Sequence, residues 1–302
     1  KDRILTTEAT RGTFVTGNDS SRFSIALVLP NLNESSSRLS AGVQEAFAAS
    51  KSTVNIFHFD ENPNLEIEHV RRAIADGFDG MVLFPSLDPA SMKPMLQLMV
   101  DGFPIVLIDR HPASFPCWFA GADNLKGGYL ATEHLIKKGC KRIACVSMGL
   151  GDVHDRYEGF LRAMGDYKLP VDFNLVTPSE HPDDPDDLGN HHVENMVDHW
   201  MSLPSPPDGI FFKNDIQAFR GIRQLLKRGF SVPDDVRVVG FDDLSLCGLS
   251  TPAITTIRQD FAAIGRAAAR LLLEQIKLPK EQRFTAARRE TVPVSLVPRA
   301  SA

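Results

Sequence analysis

The chain has no apolar run long enough to cross a membrane; none approaches the roughly 18 residues that a spanning helix needs. Its amino-terminal residues hold no apolar core of signal-peptide length, so a cytoplasmic protein with no membrane partner is expected. An excess of positive charge is also missing. The 302 residues carry 33 basic against 38 acidic side chains, a formal net charge of -5, opposite in sign to what a free-standing nucleic-acid binder uses to displace counterions. Cysteine is scarce: Cys117, Cys140, Cys145 and Cys247 lie mostly inside apolar runs and form no C-x-x-C pair, so they read as buried thiols of a reducing compartment.

Enzyme signatures are absent as well. In "MGLGDVH" Gly149 and Gly151 follow an apolar run, but the third glycine of a dinucleotide loop falls at His154, and no phosphate-binding G-x-x-x-x-G-K-[ST] occurs. Neither a G-x-S-x-G elbow nor an H-E-x-x-H helix is found, and the nine histidines show no zinc spacing. The segment "EHPDDPDDLGNHH", residues 180–192, reads as a solvated acidic loop rather than a metal site. No catalytic residue, metal or cofactor is expected.

What the chain does have is alternation. From residue 23 onward come "FSIALVLP", "TVNIFHF", "GMVLFPS", "PIVLIDR", "RIACVSM", "GIFFKND" and "VRVVGFDD", each of strand length. Most are nearly continuous in Val, Ile, Leu and Phe, the pattern of strands buried on both faces of a parallel sheet. Between them apolar residues recur at helical spacing: Leu39, Val43, Ala46 and Phe47, then Ile67, Val70 and Ile74 up to Gly77. Asp215 is expected to cap a helix ending at Gly229, and Asp260 another carrying Phe261, Ile264, Leu271 and Leu272. Repeated β-α units imply an α/β, doubly wound parallel fold, and the interruption at residues 112–124 implies two lobes.

Ligands of open parallel sheets bind beyond the carboxyl ends of the strands. The residues there are polar: Asn31, Asn33, Ser35 and Ser36; Asp109 and Arg110; Asp152 to Arg156; Asn214 and Asp215; Asp242 and Asp243. Asp accepts from hydroxyls, Arg donates in a planar fork and Asn does both, which suits a neutral polyol such as a sugar. Any single Asp or Asn at a strand-helix junction is more simply a helix cap. The sugar reading gains weight because the set comes from many strands.

The residues also carry a family likeness. "GADNLKGGYLATEHLIKKGCKRIACVS", "DRYEGFLRAM", "FFKNDIQAFRGIRQLLKRG", "VRVVGFDDLSLCGLSTPAITTIRQDFAAIGRAAARLLLEQI" and "ETVPVSLVPR" resemble, in order over residues 23–298, the effector-binding region of the lactose- and galactose-repressor family. The resemblance implies two lobes of the type I periplasmic-binding-protein kind joined by three crossovers, with the ligand closed between them. It places lobe one at 23–142 plus 260–280 and lobe two at 143–258 plus 285–299, with crossovers near Arg142, Arg258-Gln259 and Arg289. Carried over, Asp109, Arg110, Arg156, Asn214, Asp242 and Gln259 look like ligand contacts, with Asn33, Ser35, Ser36 and Asp152 as weaker candidates. A homodimer is implied by the family.

Departures concern the ligand. "NLNESSSR" stands where relatives often carry Asn-Pro-Phe-Phe, and Asp152 stands where a serine is usual. Residues 1–17, with "RGTFVT" ending in Gly12, Thr13, Phe14 and Val15, resemble the end of a gluconate-repressor-type winged helix, followed by a linker at 18–22. The combination is similar to arabinose-repressor-type chimeras, which makes a pentose the first ligand expectation and operator DNA, held by a missing amino-terminal domain, the expected macromolecular partner. Rival readings are a sugar-binding protein of a transport or chemoreceptor system, and an enzyme on a related sheet.

Overall fold

The computed structural model describes residues 5–8, 12–15, 22–48, 50, 52–112, 115–148, 154–179 and 192–302. Two short strands, β1 (Leu5–Glu8) and β2 (Gly12–Val15), pair antiparallel with each other and with no other described strand. Most of the expected linker at 18–22 falls outside the described residues, as do Asp152 and the acidic segment up to residue 191.

From Phe23 the chain runs β3 (Ser24–Leu29), α1 (Glu34–Ala48), β4 (Thr53–His58), α2 (Pro63–Ala75), β5 (Gly80–Leu83), α3 (Pro89–Val100), β6 (Ile105–Ile108) and β7 (Trp118–Ala122). It continues through α4 (Asn124–Lys137), β8 (Ile143–Met148), α5 (His154–Asp166), β9 (Val176–Ser179), α6 (His192–Ser202), β10 (Gly209–Phe211), α7 (Asp215–Lys227), β11 (Arg237–Asp242), the short α8 (Leu246–Leu249) and β12 (Thr255–Arg258). Then come α9 (Phe261–Lys277), β13 (Arg289–Val292) and β14 (Ser295–Val297).

These strands make two six-stranded sheets, ordered β13-β7-β6-β5-β3-β4 and β14-β12-β11-β10-β8-β9. The first is parallel throughout, and the second is parallel except at β14. The near-continuous apolar runs explain this: β5, β6, β7 and β10 are buried along their whole length, because helices cover both faces. In lobe one α1 and α9 cover one face and α2 and α3 the other; in lobe two the pairs are α6 with α7, and α4 with α5. All four cysteines are buried, and none forms a disulfide.

Helix ends follow local chemistry. Pro63 and Pro89 open α2 and α3 behind the capping side chains of Asn62 and Asp88, and Asp260 caps α9 by accepting from the Ala263 N–H at 2.8 Å. The cap of α7 is Asn214, which accepts from the Gln217 N–H at 2.9 Å; Asp215, expected in that role, is instead the first helical residue with its carboxylate fully buried. Gly77 and Gly229 follow α2 and α7 with φ of +73° and +86°.

Two crossovers differ from the sequence expectation. α4 packs on α5 and on the β10-β11-β12 side of the second sheet, so the chain leaves lobe one between Ala122 and Asn124, not near Arg142. β13 pairs with β7 in the first sheet, and only β14 joins the second, so the last crossover falls between Val292 and Ser295 rather than near Arg289. In both cases a helix or strand docks on the lobe that buries its apolar face, a choice that periodicity does not record. The middle crossover runs from Arg258 to Phe261.

Candidate functional site

The strand ends that carry the candidate residues converge where the two lobes face one another. β11 ends at Asp242, with Asp243 next, at φ of +118° and +58°, and Asp109 follows β6 at +63°. Non-glycine residues in this region are costly and are held only where surrounding contacts fix them.

Arg156, on α5, is the best-anchored group. Its Nε donates to Asn124 Oδ1 at 2.8 Å, its Nη1 donates to the Lys213 carbonyl oxygen, and its guanidinium lies 3.6 Å above the centre of the Phe241 ring. Its Nη2 stands 4.0 Å from Asp242 Oδ1. Placed over an aromatic face and tied at two nitrogens, the fork is held in one orientation.

Asp242 sits beside it and accepts from Gln259 Nε2 at 2.6 Å. Burial drives its pKa well above the ordinary carboxyl range; Arg156 opposes that shift, while the nearby carboxylates of Asp215 and Asp109 add to it. The influence of Asp109 matters, because it brings a lobe-one strand end within electrostatic reach of a lobe-two strand end. Asp215, underneath, accepts from Thr256 Oγ1 at 2.5 Å and from the Leu244 N–H at 2.8 Å, and burial raises its pKa to about 6.

On the lobe-one side Arg110 lies 5.2 Å from the centre of the Phe84 ring, with its Nε 3.9 Å from Asp109 Oδ2. Three buried atoms on the side chains of this site have no hydrogen-bond partner among the described residues: Arg110 Nε, Asn124 Nδ2 and Gln259 Oε1. Buried polar groups are rarely left so, and donors and acceptors of this mixture suit hydroxyl groups, which both give and accept. Asn33, Ser35 and Ser36 form a turn at the start of α1, where Asn33 Oδ1 accepts from Ser35 Oγ at 2.6 Å and from the Ser36 N–H at 3.0 Å. Asn214 combines its position at a strand end with the capping role described above.

Asn124, Phe84 and Phe241 escaped the sequence reading. Phe84 was within reach, since it is the first residue beyond β5 and the strand-end rule applies there too. Asn124 and Phe241 carried no signal, because their role is to hold Arg156, 32 residues from Asn124. Among the described residues no group of three or more His, Cys, Asp and Glu is arranged to hold a metal, and no helix is long and apolar enough to cross a membrane.

Comparison with known proteins adds to this geometry. A model of the periplasmic binding protein-like domain matches residues 132–302. The chain is 28% identical over 215 residues to the transcriptional repressor PurR of Vibrio atlanticus, covering 70% of this chain and 61% of that protein. It is 28% identical over 257 residues to the ribose operon repressor of Halalkalibacterium halodurans, covering 84% of this chain and 72% of the repressor. The chain thus spans about three fifths of the length of PurR. A crystal structure of a LacI family transcriptional regulator from Enterococcus faecium with bound ribose superposes with a TM-score of 0.74 at 24% identity, covering 92% of this chain and 98% of that one, a likeness of fold.

Proposed function

The chain belongs to the periplasmic binding protein-like family, and on that premise we propose that it is the effector-binding part of a cytoplasmic transcription regulator, which closes its two lobes on a small neutral sugar. The observation that carries this reading is the approach of Asp109, at a lobe-one strand end beside Arg110, to Asp242, which Arg156 and Gln259 flank, together with the unpartnered buried atoms of Arg110, of Gln259 and of Asn124, which anchors Arg156. Each arginine stands beside an aspartate, so the set is close to charge-balanced and favours hydroxyls over a phosphate or carboxylate. Relatives named as the HTH-type transcriptional repressor PurR and as a ribose operon repressor support regulation over transport. A pentose is the first ligand to test.

Asn214 and the first-loop residues Asn33, Ser35 and Ser36 complete the proposed ligand shell, with Asp152 as a further candidate. Effector binding favours one arrangement of the lobes, and a family-typical homodimer passes that preference to operator DNA through an amino-terminal domain, of which β1 and β2 are the winged-helix end. The chain binds and does not turn over its ligand.

A thermal-shift panel of D-ribose, D-arabinose, other neutral monosaccharides, sugar phosphates and purine bases tests this reading. A true ligand at 100 times its Kd adds about 2.7 kcal/mol of stability. Stabilisation by a neutral sugar that Arg156→Ala removes supports the assignment; stabilisation only by a sugar phosphate or a purine overturns the sugar, and chemical conversion of a panel compound overturns the regulator reading.

A further inference from the structure

Helix α1 is tied at its start to the other lobe and at its end to the residue where the chain enters its own. At its start Glu34 reaches across to lobe two: the Ser245 N–H donates to both carboxylate oxygens at 3.1 Å, and Ser245 Oγ donates to Oε1 at 2.6 Å. One turn on, Arg38 pairs with Glu34 and donates from Nη1 to the Asp243 carbonyl oxygen at 3.1 Å. The loop so gripped begins at Asp242, is fixed by Arg258 and Arg299 on the Asp243 carboxylate at 2.6 Å each, and is held by Asp215 at the Leu244 N–H. Leu244 inserts its side chain into the lobe-one core. The loop therefore touches the candidate ligand carboxylate with its first residue and lobe one with the next three.

At the far end of α1 a run of hydrogen bonds leads to the residue where the chain enters the lobe. Phe23 N–H donates to Ser52 Oγ at 2.9 Å, Ser52 Oγ lies 2.7 Å from Ser50 Oγ, and Ser50 Oγ donates to the Phe47 carbonyl oxygen of the last helical turn at 2.9 Å. Between the two ends lie 15 helical residues, about 22 Å. The helix is also backed rigidly: a Cβ on Gly42 would stand 2.1 Å from the Ala262 carbonyl oxygen of α9, and one on Gly265 2.3 Å from that of Leu39. A helix packed this closely moves as a body and does not absorb displacement at one end.

We propose that α1 is a relay, in which the Glu34–Ser245 and Arg38–Asp243 contacts sense closure of the lobes and the Phe47–Ser50–Ser52–Phe23 hydrogen bonds pass that state to the amino-terminal segment. The relay rests on the two-lobed fold and not on the identity of the ligand. Closure gathers two donors, the Ser245 N–H and Oγ, on the Glu34 carboxylate; opening releases them and frees the first turn of α1, so the two states differ by charge-assisted hydrogen bonds at a defined place.

Residue-resolved amide hydrogen exchange on the whole, ligand-free chain tests it. In Glu34→Ala, and in Arg38→Ala, the Ser245 and Phe23 amides should exchange at least fivefold faster than in the parent, while the Leu244 amide, held inside lobe two by Asp215 at 2.8 Å, keeps its rate. Ser52→Ala, which removes the acceptor of Phe23, should by reciprocity quicken Ser245 as well. Acceleration of Ser245 without Phe23 overturns the relay, and no change at either overturns the closure contact itself. Equal acceleration of Ser245, Phe23 and Leu244 assigns the effect to loosening of the loop and overturns the proposal too. A sugar panel without a single ligand would leave all three outcomes readable.

Discussion

Gln259 Nε2 donates to Asp242 Oδ1 at 2.6 Å, joining the middle crossover between the lobes to a strand end whose carboxyl pKa is raised by burial. Gln259→Ala removes this donor and the unpartnered Oε1 together. Affinity for a confirmed sugar should fall about tenfold, the loss of roughly one hydrogen bond to a charged group, with the melting temperature little changed. Titration calorimetry beside a thermal melt separates the two effects.

Asp242 gives the site a pH dependence of known sign. Burial, with Asp215 and Asp109 nearby, raises its pKa, against the pull of Arg156. A sugar hydroxyl that donates to the carboxylate needs it ionised, so affinity should rise with pH, by up to about tenfold per unit below the pKa of the free site, and level off above it. Asp242→Asn should bind weakly with that slope removed. A flat profile in the parent chain would separate Asp242 from the ligand.

Asp215 affects stability rather than binding. Its folded-state pKa, about 6, lies above the ordinary carboxyl value, so between roughly pH 4 and 6 the folded chain holds a proton that the unfolded chain has released. This contribution favours folding at low pH and is lost as pH rises through that window. Asp215→Ala abolishes it, yet leaves Thr256 Oγ1 and the Leu244 N–H without their acceptor, for a net cost of about 2 kcal/mol at neutral pH. Denaturant melts at several pH values should show the gap between variant and parent widening toward acid.

Arg156→Lys should be nearly as damaging as Arg156→Ala. An ammonium cannot donate to Asn124 and Lys213 while also covering the Phe241 ring, contacts that the guanidinium makes together. Both substitutions should lower sugar affinity by more than about tenfold and destabilise the chain by about 2 kcal/mol, because neither side chain can serve the buried Asn124 Oδ1 and the Lys213 carbonyl oxygen together. Restored binding in the lysine variant would show that charge alone suffices.

Gly265→Ala should destabilise, although alanine is the better helix former by about 1 kcal/mol. The added Cβ meets the Leu39 carbonyl oxygen at 2.3 Å, backbone that cannot turn aside, so α1 and α9 must separate at a cost of about 1 to 3 kcal/mol. Thermal melts read this directly, and the same variant should loosen the Phe23 amide if α1 is the relay.

The sequence by itself determined the class of fold and the addresses of its polar groups. Runs such as "GMVLFPS" and "PIVLIDR" must be buried on both faces, and the first polar residues after them must lie at strand ends, so Asp109, Arg110, Asn214 and Asp242 were legible from local order alone. Tertiary structure decided the rest. It sent α4 to the second lobe and β13 to the first, gave the cap of α7 to Asn214 and buried Asp215, stacked Arg156 on Phe241, and set Glu34 against Ser245, 211 residues away. Periodicity records which face of an element is apolar, but not which other element will cover it. Contacts between distant residues exist only once both sheets are packed, and those contacts hold the candidate site together.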